Sequence, residues 1–485
     1  MADEQSPNGS NDANGAQEQD SGAASKRGIW GSKAGFILAA AGSAIGLGNI
    51  WRFPTEAANN GGAAFLLVYL ACVVLIGLPV MLAEITLGRH TRKDPVGAFK
   101  AICPRSLWWL VGALGVVTGL AILSYYSVVA GWTLGYVVRT AGHTFTSDSD
   151  PNAIFGAFSC CWWQQILYHL IFMALCVAVV MGGVRAGIER WSKILMPTLL
   201  VMLGLLVVRS VTLPGAGRGL AFYLEPDFSK LDFKVIVAGL GQAFFSMSLG
   251  MGAMITYGSY LSRKDNLVTS ATWVGLADTG IAILAGFMVL PALAIAGITP
   301  GVDEGGAGMI FTVLPSVFSQ MPWEPYGGIV FGTAFFILLA LAALTSAVSL
   351  LEVVTAYLVD ERKWPRKRAT AAVGGLALIV GVPSALGCGA VACLSKVVEL
   401  QGKSVGFLEL MDKVFGKLTL TLGALLISLV VGWVWGIGKA KDEIRHGNSG
   451  FAVLGSVWSF LLRFLCPLAI ATILVFLIID PGAIR

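Results

Sequence analysis

The chain has 485 residues, of which 56% are apolar and only 13% are charged. Soluble domains carry about 25% charged residues, so this composition excludes a soluble enzyme, a disordered scaffold and a nucleic-acid-binding protein. The 33 basic and 28 acidic residues leave a net charge of +5, a mild excess that membrane topology explains better than a polyanionic partner. We therefore predict an all-α membrane protein.

The first segment, residues 1–26, is polar, acidic and rich in Gly, Ser and Asn. It contains no apolar run of the kind found in a cleaved signal peptide. Low hydrophobicity of this kind is typical of disorder, so we expect a disordered cytoplasmic tail.

Beyond the tail, the chain contains eleven apolar runs of the length, about 20 residues, that crosses roughly 30 Å of hydrocarbon. We number them span 1 to span 11, and they are centred near residues 42, 75, 123, 173, 200, 247, 282, 340, 377, 425 and 468. Lys and Arg concentrate in alternate loops, which indicates a cytoplasmic N-terminus and, with an odd number of spans, an external C-terminus. We expect eleven transmembrane helices in the lipid bilayer of a plasma or inner membrane.

Spans 1 and 6 share an unusual feature, a mid-span cluster of glycine and small polar residues. The clusters are GSAIGLGN, from Gly42 to Asn49, and SMSLGMGA, from Ser246 to Ala253. Each glycine weakens a helix by about 1 kcal/mol relative to alanine, and backbone exposed at bilayer depth is tolerated only where it lines a cavity or binds something polar. The clusters predict two broken helices at a binding site; close helix packing through small residues is the alternative.

The two clusters lie five spans apart, and a repeat with an odd number of spans must run upside down in the membrane. This spacing predicts a five-plus-five inverted repeat, with the binding site at the interface of its halves. The expected segments are 27–212 for spans 1–5, 235–437 for spans 6–10 and 452–480 for helix 11.

Ionisable and hydroxyl side chains inside the spans indicate what binds there. Glu84 lies late in span 2 and Asp278 in the middle of span 7; a charge at mid-bilayer costs at least roughly 2.5–3.5 kcal/mol. We favour a functional role for Asp278 over a buried structural hydrogen bond. Span 8 adds the adjacent hydroxyls of Thr345 and Ser346. Oxygen donors without imidazole or thiolate select hard cations, and Na⁺ is the natural candidate for a transported ion.

Longer motifs resemble one known family. They are WGSKAGFILAAAGSAIGLGNIWRFP (Trp30 to Pro54), NNGGAAF (Asn59 to Phe65), GQAFFSMSLGMGAMITYGSY (Gly241 to Tyr260) and ALTSAVS (Ala343 to Ser349). In these motifs the chain resembles the neurotransmitter:sodium symporters, prokaryotic amino-acid transporters among them, over about residues 27 to 480. The resemblance implies that family's fold, with broken helices 1 and 6 and an eleventh helix, and sodium-coupled import of an α-amino acid by alternating access.

The resemblance also implies two sodium sites and a substrate site, carried over motif by motif. The residues of the first sodium site would be Ala44, Asn49, Ser246 and Asp278. Those of the second would be Gly42, Ile45, Ala342, Thr345 and Ser346. The amino acid would contact Ala44, Leu47, Gly48, Ile122, Tyr126, Phe245, Ser248, Met251, Ser346, Ser349 and Leu350.

Gates are implied at both ends of the site. Arg52 and Asp412 would form an external ion pair, and Arg27 and Asp360 an internal one. Without the resemblance, Arg27, Asp360 and Asp412 would be interpreted as ordinary loop charges. Glu84 would tie the broken span 6 to its neighbour. The aromatic residues assigned beside the pairs are Tyr126 and Phe245 outside and Trp30 and Tyr260 inside.

Two departures from the family pattern refine these expectations. Asp278 stands where many relatives carry Asn, which places a fixed negative charge beside the ion, although Tyr69, Gln242 and Ser246 match the positions that hold chloride in other members. We therefore expect chloride-independent transport, with Asp278 as the group that would take up a proton after sodium leaves. Gly46 stands where monoamine carriers have Asp, which favours a substrate that brings its own carboxylate.

The side-chain pocket is expected to be large and apolar. Met251 stands where another member has Phe, and Ile122 and Leu350 lie beside it; methionine is flexible and polarisable. These residues predict leucine-, methionine- or aromatic-type substrates.

Three other classes of protein are alternatives to a symporter. An ion channel needs a continuous polar pore, yet the charged positions lie at one depth. An intramembrane enzyme needs a catalytic dyad or a metal-binding set, and the four histidines are scattered. A non-transporting amino-acid sensor of the same fold stays open, because its binding residues would look identical.

Overall fold

The computed structural model describes residues 29–146, 149–295, 309–319, 326–400, 403–446 and 450–479. Within these ranges the chain is almost wholly helical. A two-stranded antiparallel hairpin interrupts the helices, and its strands are Val398–Leu400 and Lys403–Val405. The predicted tail, 1–26, lies outside the described residues, as does Arg27.

Nine helices in the described ranges are long and apolar enough to cross a membrane. They correspond to spans 2–5 and 7–11 and have the bounds Ala63–Thr91, Trp109–Ala141, Trp162–Met181, Val184–Val211, Leu267–Ile295, Tyr326–Asp360, Arg366–Leu386, Phe407–Val434 and Leu454–Ile479. Within several of them lie π-helical segments, at Val73–Gly77, Val184–Glu189, Asp412–Thr419, Val430–Val434 and Leu461–Leu465. With the bent helix pair of span 1 counted as one more, the described residues give ten spans, which is approximately consistent with the eleven predicted; the helical part of span 6 before its break, Phe233–Ser246, is shorter.

Span 1 is a broken helix. Its first part, Lys33–Ala44, begins at Ser32, whose hydroxyl accepts the Gly35 N–H at 3.0 Å. The helix ends where Ile45 turns to extended backbone with ψ 106°. A second part, Gly48–Asn59, follows at an angle of 51° to the first. The break falls inside the predicted glycine cluster.

Span 6 is broken more widely. Phe233–Ser246 and Ala253–Gly258 are helical, and the six residues between them are not. Three of these, Ser248, Gly250 and Gly252, have φ of 55°, 84° and 78°, the left-handed region that favours glycine. Gly250 also has no room for a side chain, because a Cβ there would collide with the Leu420 carbonyl of span 10.

Short helices connect the spans. Their bounds are Pro95–Ile102, Pro151–Cys160, Ala216–Leu224, Phe228–Lys230, Met309–Ser319, Ala392–Ser395 and Ile437–Arg445, and Ala452–Phe460 opens span 11.

The spans differ in how deeply they are buried within the protein. In span 8, 83% of the most apolar stretch is buried, but in span 11 only 28% is. Span 8 is therefore central, and span 11 is peripheral.

A buried ion pair fastens the last connecting helix to span 2. Nε of Arg89 lies 2.8 Å from Oε1 of Glu443, and Nδ1 of His90 lies 3.1 Å from Oε2 of the same carboxylate. Burial by itself raises the pKa of Glu443, but the hydrogen bond to His90 and the Arg89 charge outweigh it and lower that pKa to about 2. The carboxylate is therefore ionised at neutral pH.

Candidate functional site

Spans 1, 6 and 7 bring three polar side chains together at the two breaks. Asn49, Ser246 and Asp278 are all fully buried. Nδ2 of Asn49 donates to Oδ1 of Asp278 at 2.7 Å and to Oγ of Ser246 at 2.9 Å. The Ser246 hydroxyl in turn donates to Oδ1 of Asp278 at 2.8 Å. With Ala44 ending the first helical part of span 1, the four residues predicted for the first sodium site come from these three spans.

The donor set of this cluster is oxygen-rich and carries one carboxylate. Oδ1 of Asn49 accepts the Gly46 N–H at 3.1 Å, so the amide also braces the break of span 1. Within the described chain, no group of three or more His, Cys, Asp or Glu side chains is placed so that it could hold a metal ion. Such oxygen donors suit a hard cation and not a transition metal.

A second cluster joins the break of span 1 to span 8. The Thr345 hydroxyl lies 2.9 Å from the Ala342 carbonyl and 3.3 Å from the Ile45 carbonyl. A Cβ at Gly42 would lie 3.3 Å from Cβ of Thr345, so Gly42 packs directly beside them. The Ser346 hydroxyl points elsewhere. Four of the residues predicted for the second sodium site therefore lie together, while Ser346 turns toward the cavity described next.

A small cavity, of about 20 Å³, lies at the breaks of spans 1 and 6. Its lining residues are Ala44, Gly46, Gly48, Ile122, Tyr126, Phe245, Ser248, Met251, Ser346, Leu350 and Leu420. Leu47 and Ser349, which were predicted to contact substrate, do not line it, whereas Leu420 lines it without having been predicted. A volume of this size holds about one water, so side chains must move outward to admit an amino acid.

One wall of the cavity, formed by Gly46 and Tyr126, lies beside the start of a helix. The Leu47 N–H donates to the Tyr126 hydroxyl at 3.1 Å, at the point where the second part of span 1 begins, and helix N-termini favour negative charge. Gly46 leaves this wall open, because a Cβ there would lie 2.7 Å from the Tyr126 oxygen and 2.9 Å from Cβ of Ser346.

A chain of serine hydrogen bonds, which the sequence analysis missed, crosses the floor of the site. The Ser43 carbonyl accepts the hydroxyls of Ser248 at 2.9 Å and Ser346 at 3.0 Å. The Ser43 hydroxyl donates to Oγ of Ser349 at 2.7 Å. The signal that could have identified Ser43 is its place inside the glycine cluster of span 1.

Glu84 ties span 2 to the break of span 6. Its carboxylate is fully buried, and Oε1 accepts the Gly250 N–H at 2.8 Å. Because Gly250 has left-handed backbone, its N–H lies outside any helix and needs an acceptor from another span. Glu84 therefore holds the non-helical segment in place.

On the predicted external side, Arg52 and Asp412 have different partners. Nε of Arg52 lies 3.7 Å from Oε1 of Glu56, and its guanidinium carbon lies 4.5 Å from the centre of the Phe245 ring. Asp412 accepts the Tyr125 hydroxyl at 3.0 Å. Within the described chain, Arg52 thus forms its ion pair with Glu56 and not with Asp412. The i,i+4 spacing of Arg52 and Glu56 was the available signal.

On the predicted internal side, an aromatic cluster closes the bundle. The Trp30 indole N–H donates to the Tyr257 carbonyl at 3.1 Å, and the Trp30 ring makes edge contacts with the rings of Tyr257 and Tyr260. The Tyr260 hydroxyl donates to Oε1 of Glu352 at 2.7 Å, and Glu352 forms an ion pair with Arg366. Trp30 and Tyr260 therefore lie together, and their role at an internal gate stays a prediction.

Asp360 lies near the same end of the bundle. Its Oδ2 accepts the Asp94 N–H at 3.0 Å, which attaches span 8 to the connecting helix after span 2. Because Arg27 lies outside the described residues, the internal pair of Arg27 and Asp360 stays a prediction.

Comparison with known proteins adds an independent line. The chain matches the sequence profile of the sodium:neurotransmitter symporter family over residues 27–152 and 158–484. It is 40% identical over 452 residues to YhdH, a sodium-dependent transporter of Bacillus subtilis, covering 92% of this chain and 96% of that protein. It is 27% identical over 497 residues to the human sodium- and chloride-dependent GABA transporter 2, covering 91% and 79%. The crystal structure of MhsT in complex with L-phenylalanine aligns with a TM-score of 0.84 and 42% identity, covering 93% of this chain and 99% of that one.

Proposed function

The chain belongs to the sodium:neurotransmitter symporter family, and on this premise we propose that it imports an α-amino acid with a large apolar side chain, together with sodium. Membership makes it a sodium-dependent symporter with a small-molecule substrate, a multi-pass membrane protein and not an enzyme. The proposal adds the substrate class, alternating access, chloride independence, a plasma or inner membrane and a cytoplasmic N-terminus.

The observation that carries the proposal is that residues 45–47 of span 1 contact both polar clusters, the one at Asp278 and the one at Thr345, and also the lining of the cavity. The Ile45 carbonyl meets Thr345, the Gly46 N–H meets Asn49, and the Leu47 N–H meets Tyr126. Consecutive residues of one chain segment cannot move independently. Binding of sodium at either cluster therefore orders the groups that would bind substrate, which is a coupling free energy between sites.

The backbone groups at the breaks support the choice of an α-amino acid as the substrate. Its carboxylate would be bound by the N–H groups of Leu47 and Gly48 and by the Tyr126 hydroxyl. Its amine would meet the carbonyls of Ala44, Phe245 and Ser248. Because Gly46 has no side chain, the protein supplies no carboxylate at this position. The substrate therefore has to bring its own.

The residues on the remaining walls of the cavity favour a substrate with a large apolar side chain. Ile122, Met251, Leu350 and Leu420 line it from spans 3, 6, 8 and 10. Met251 lies between two glycines with left-handed backbone, in the non-helical segment of span 6. Because Glu84 and span 10 hold the backbone of this segment, the flexible Met251 side chain is the part of the wall that would have to move for a cavity of about 20 Å³ to admit a substrate. The L-phenylalanine named for the MhsT crystal structure agrees with this choice.

Asp278 supports chloride independence. The Ser246 hydroxyl, which matches a chloride-binding position of the family, donates to the Asp278 carboxylate instead. A fixed negative charge already lies where a bound anion would otherwise balance sodium. The human relative named as chloride-dependent is a contrasting case.

The test is uptake into proteoliposomes with an imposed inward sodium gradient, using each of the twenty amino acids in labelled form. We expect accumulation of leucine, methionine and phenylalanine, unchanged when gluconate replaces chloride and abolished when N-methylglucamine replaces sodium. Equal or better uptake of glycine or glutamate would contradict the substrate class. Binding without accumulation would indicate a sensor and refute transport.

A further inference from the structure

A second and larger cavity lies at the end of span 5 that is predicted to face the cytoplasm. Its volume is about 340 Å³, and its lining residues are Gly31, Arg185, Glu189, Arg190, Lys193 and Ile194. It shares none of these residues with the cavity at the breaks. Three of the six carry positive charge and one carries negative charge, so we name it the basic pocket.

The single acid of the basic pocket is already fully engaged. Glu189 accepts the Gly31 N–H at 2.6 Å, the Ser32 hydroxyl at 3.0 Å and the Lys193 ammonium at 2.6 Å. Its carboxylate thus neutralises Lys193 and fastens the chain segment that leads into span 1. The one negative charge of the basic pocket is thus paired with Lys193, and the two arginines have no ion-pair partner among its lining residues.

Arg185 and Arg190 are the unpaired charges of the basic pocket. Both side chains are exposed, and within the described chain neither guanidinium forms an ion pair or a hydrogen bond with another residue. Arg185 reaches across the opening, because a Cβ at Gly31 would lie 2.9 Å from its Nε. Two guanidinium groups around one cavity form a site for a phosphate, whose oxygens accept their paired N–H donors.

The surroundings of the basic pocket indicate where that phosphate comes from. Trp191 and Ile194, on the same turn of span 5, are 45% and 52% exposed. Large apolar side chains on the outside of a membrane helix face lipid, and tryptophan concentrates at the level of the headgroups. The basic pocket therefore lies beside side chains of the kind found at the level of the phospholipid headgroups.

We propose that the basic pocket binds the phosphate of an anionic phospholipid from the cytoplasmic leaflet. Basic pockets between membrane helices on this side recognise anionic headgroups by the same chemistry. The bound headgroup would bridge Arg185, beside Gly31, to Arg190 on span 5. It would thereby reinforce the attachment that Glu189 makes to the start of span 1. The proposal does not depend on which amino acid is carried.

The experiment is native mass spectrometry of the purified full-length protein, titrated separately with phosphatidylglycerol and phosphatidylcholine. We expect the wild-type protein to bind one phosphatidylglycerol at least tenfold more tightly than phosphatidylcholine. The double variant Arg185→Gln/Arg190→Gln should lose that preference, because each basic residue near a membrane surface contributes about a fivefold effect. The single variants Arg185→Gln and Arg190→Gln should fall between the two.

The matched control removes the same charge from the same face outside the pocket, as Arg263→Gln/Lys264→Gln, and should keep the preference within twofold. Equal losses in both double variants, or no preference in the wild-type protein, would overturn the proposal. Displacement by glycerol 3-phosphate at equal concentration would identify a soluble phosphate as the ligand and overturn the lipid assignment.

The chain's own acidic tail is the competing occupant. Residues 1–26 contain five acidic side chains, and a full-length variant with all five converted to amides separates the two cases. Unchanged phosphatidylglycerol binding supports the lipid. A tenfold gain in phosphatidylglycerol binding that disappears when Arg185→Gln/Arg190→Gln is added would show that the tail fills the basic pocket in the native chain and would overturn the assignment of the lipid as its occupant.

Discussion

Replacing Asp278 with asparagine should make transport depend on chloride. The substitution keeps the size of the side chain and its contacts with Asn49 and Ser246, but it removes the negative charge of the cluster. Asp278 is fully buried, with a carboxylate oxygen 2.7 Å from Nδ2 of Asn49 and 2.8 Å from Oγ of Ser246. A cation ligated by the oxygens of these residues would therefore lie within about 4 Å of the charge.

The size of the effect follows from Coulomb's law. Two opposite unit charges 4 Å apart interact by about 4 kcal/mol at an effective dielectric constant of 20, which is roughly a thousandfold in a binding constant. This value is an upper limit, since water that enters the site screens the pair. We expect the sodium concentration for half-maximal uptake to rise about a hundredfold or more in Asp278→Asn with gluconate as the only external anion.

The assay is sodium-dependent amino-acid uptake in proteoliposomes, measured in chloride and in gluconate. Chloride should restore much of the lost sodium affinity to Asp278→Asn and should leave the wild-type protein unchanged. Glu84→Gln is the matched control, because it also removes a buried carboxylate but keeps an oxygen acceptor for the Gly250 N–H; its sodium affinity should change less than threefold. An Asp278→Asn variant with wild-type sodium affinity in gluconate would refute the assignment of Asp278.

Three further outcomes are expected. Gly46→Ala should raise the half-saturating amino-acid concentration roughly tenfold to a hundredfold, because the new Cβ would lie 2.7 Å from the Tyr126 oxygen and overpacking costs about 1–3 kcal/mol; an unchanged value would show that the wall is not rigid. Tyr126→Phe should weaken amino-acid binding by about the same factor, since a hydrogen bond to a charged group contributes about 1.5–3 kcal/mol, and a calorimetric titration would show it. Glu443 has a pKa of about 2, below its ordinary 4.5, so its stabilising effect is complete above pH 4.5 and disappears as the pH falls toward 2. Glu443→Gln should therefore lower Tm clearly at pH 6 and progressively less below pH 4.5, and a difference independent of pH would contradict the ion pair with Arg89.

The breaks of spans 1 and 6 could be predicted because their cause is local. Glycines and small polar residues weaken a helix wherever it packs, and at bilayer depth the freed backbone must line a site. The structure places the breaks at residues 45–47 and 247–252, inside the two clusters. The meeting of Asn49 with Asp278 was expected for a different reason, because the family resemblance placed both residues in one sodium site.

The contacts that were missed depend on how distant spans align. Leu420 reaches the cavity because span 10 packs against Gly250, and nothing in the local sequence of span 10 indicates that alignment. The contact of Tyr125 depends on the same alignment of span 10. Its neighbour Tyr126 faces the cavity, whereas Tyr125 points to Asp412 on span 10. The ion pair of Arg52 with Glu56 is local, but the resemblance directed attention to a partner from another span.

The alignment of span 10 also bears on how the external side opens. Asp412 is attached to span 3 through Tyr125, whereas Arg52 is attached to its own helix through Glu56 and covers the Phe245 ring of span 6. Within the described chain no ion pair joins Arg52 directly to Asp412, so the outward movement of spans 1 and 6 that alternating access would require does not have to break one. The hydrogen bonds that join spans 1 and 6, from Ser248 to the Ser43 carbonyl and from Gln242 to the Gly48 carbonyl at 2.8 Å, support such a joint movement. The Thr345 hydroxyl joins span 8 to the Ile45 carbonyl of span 1 at 3.3 Å, so sodium bound at that second cluster would oppose any movement that separates span 1 from span 8.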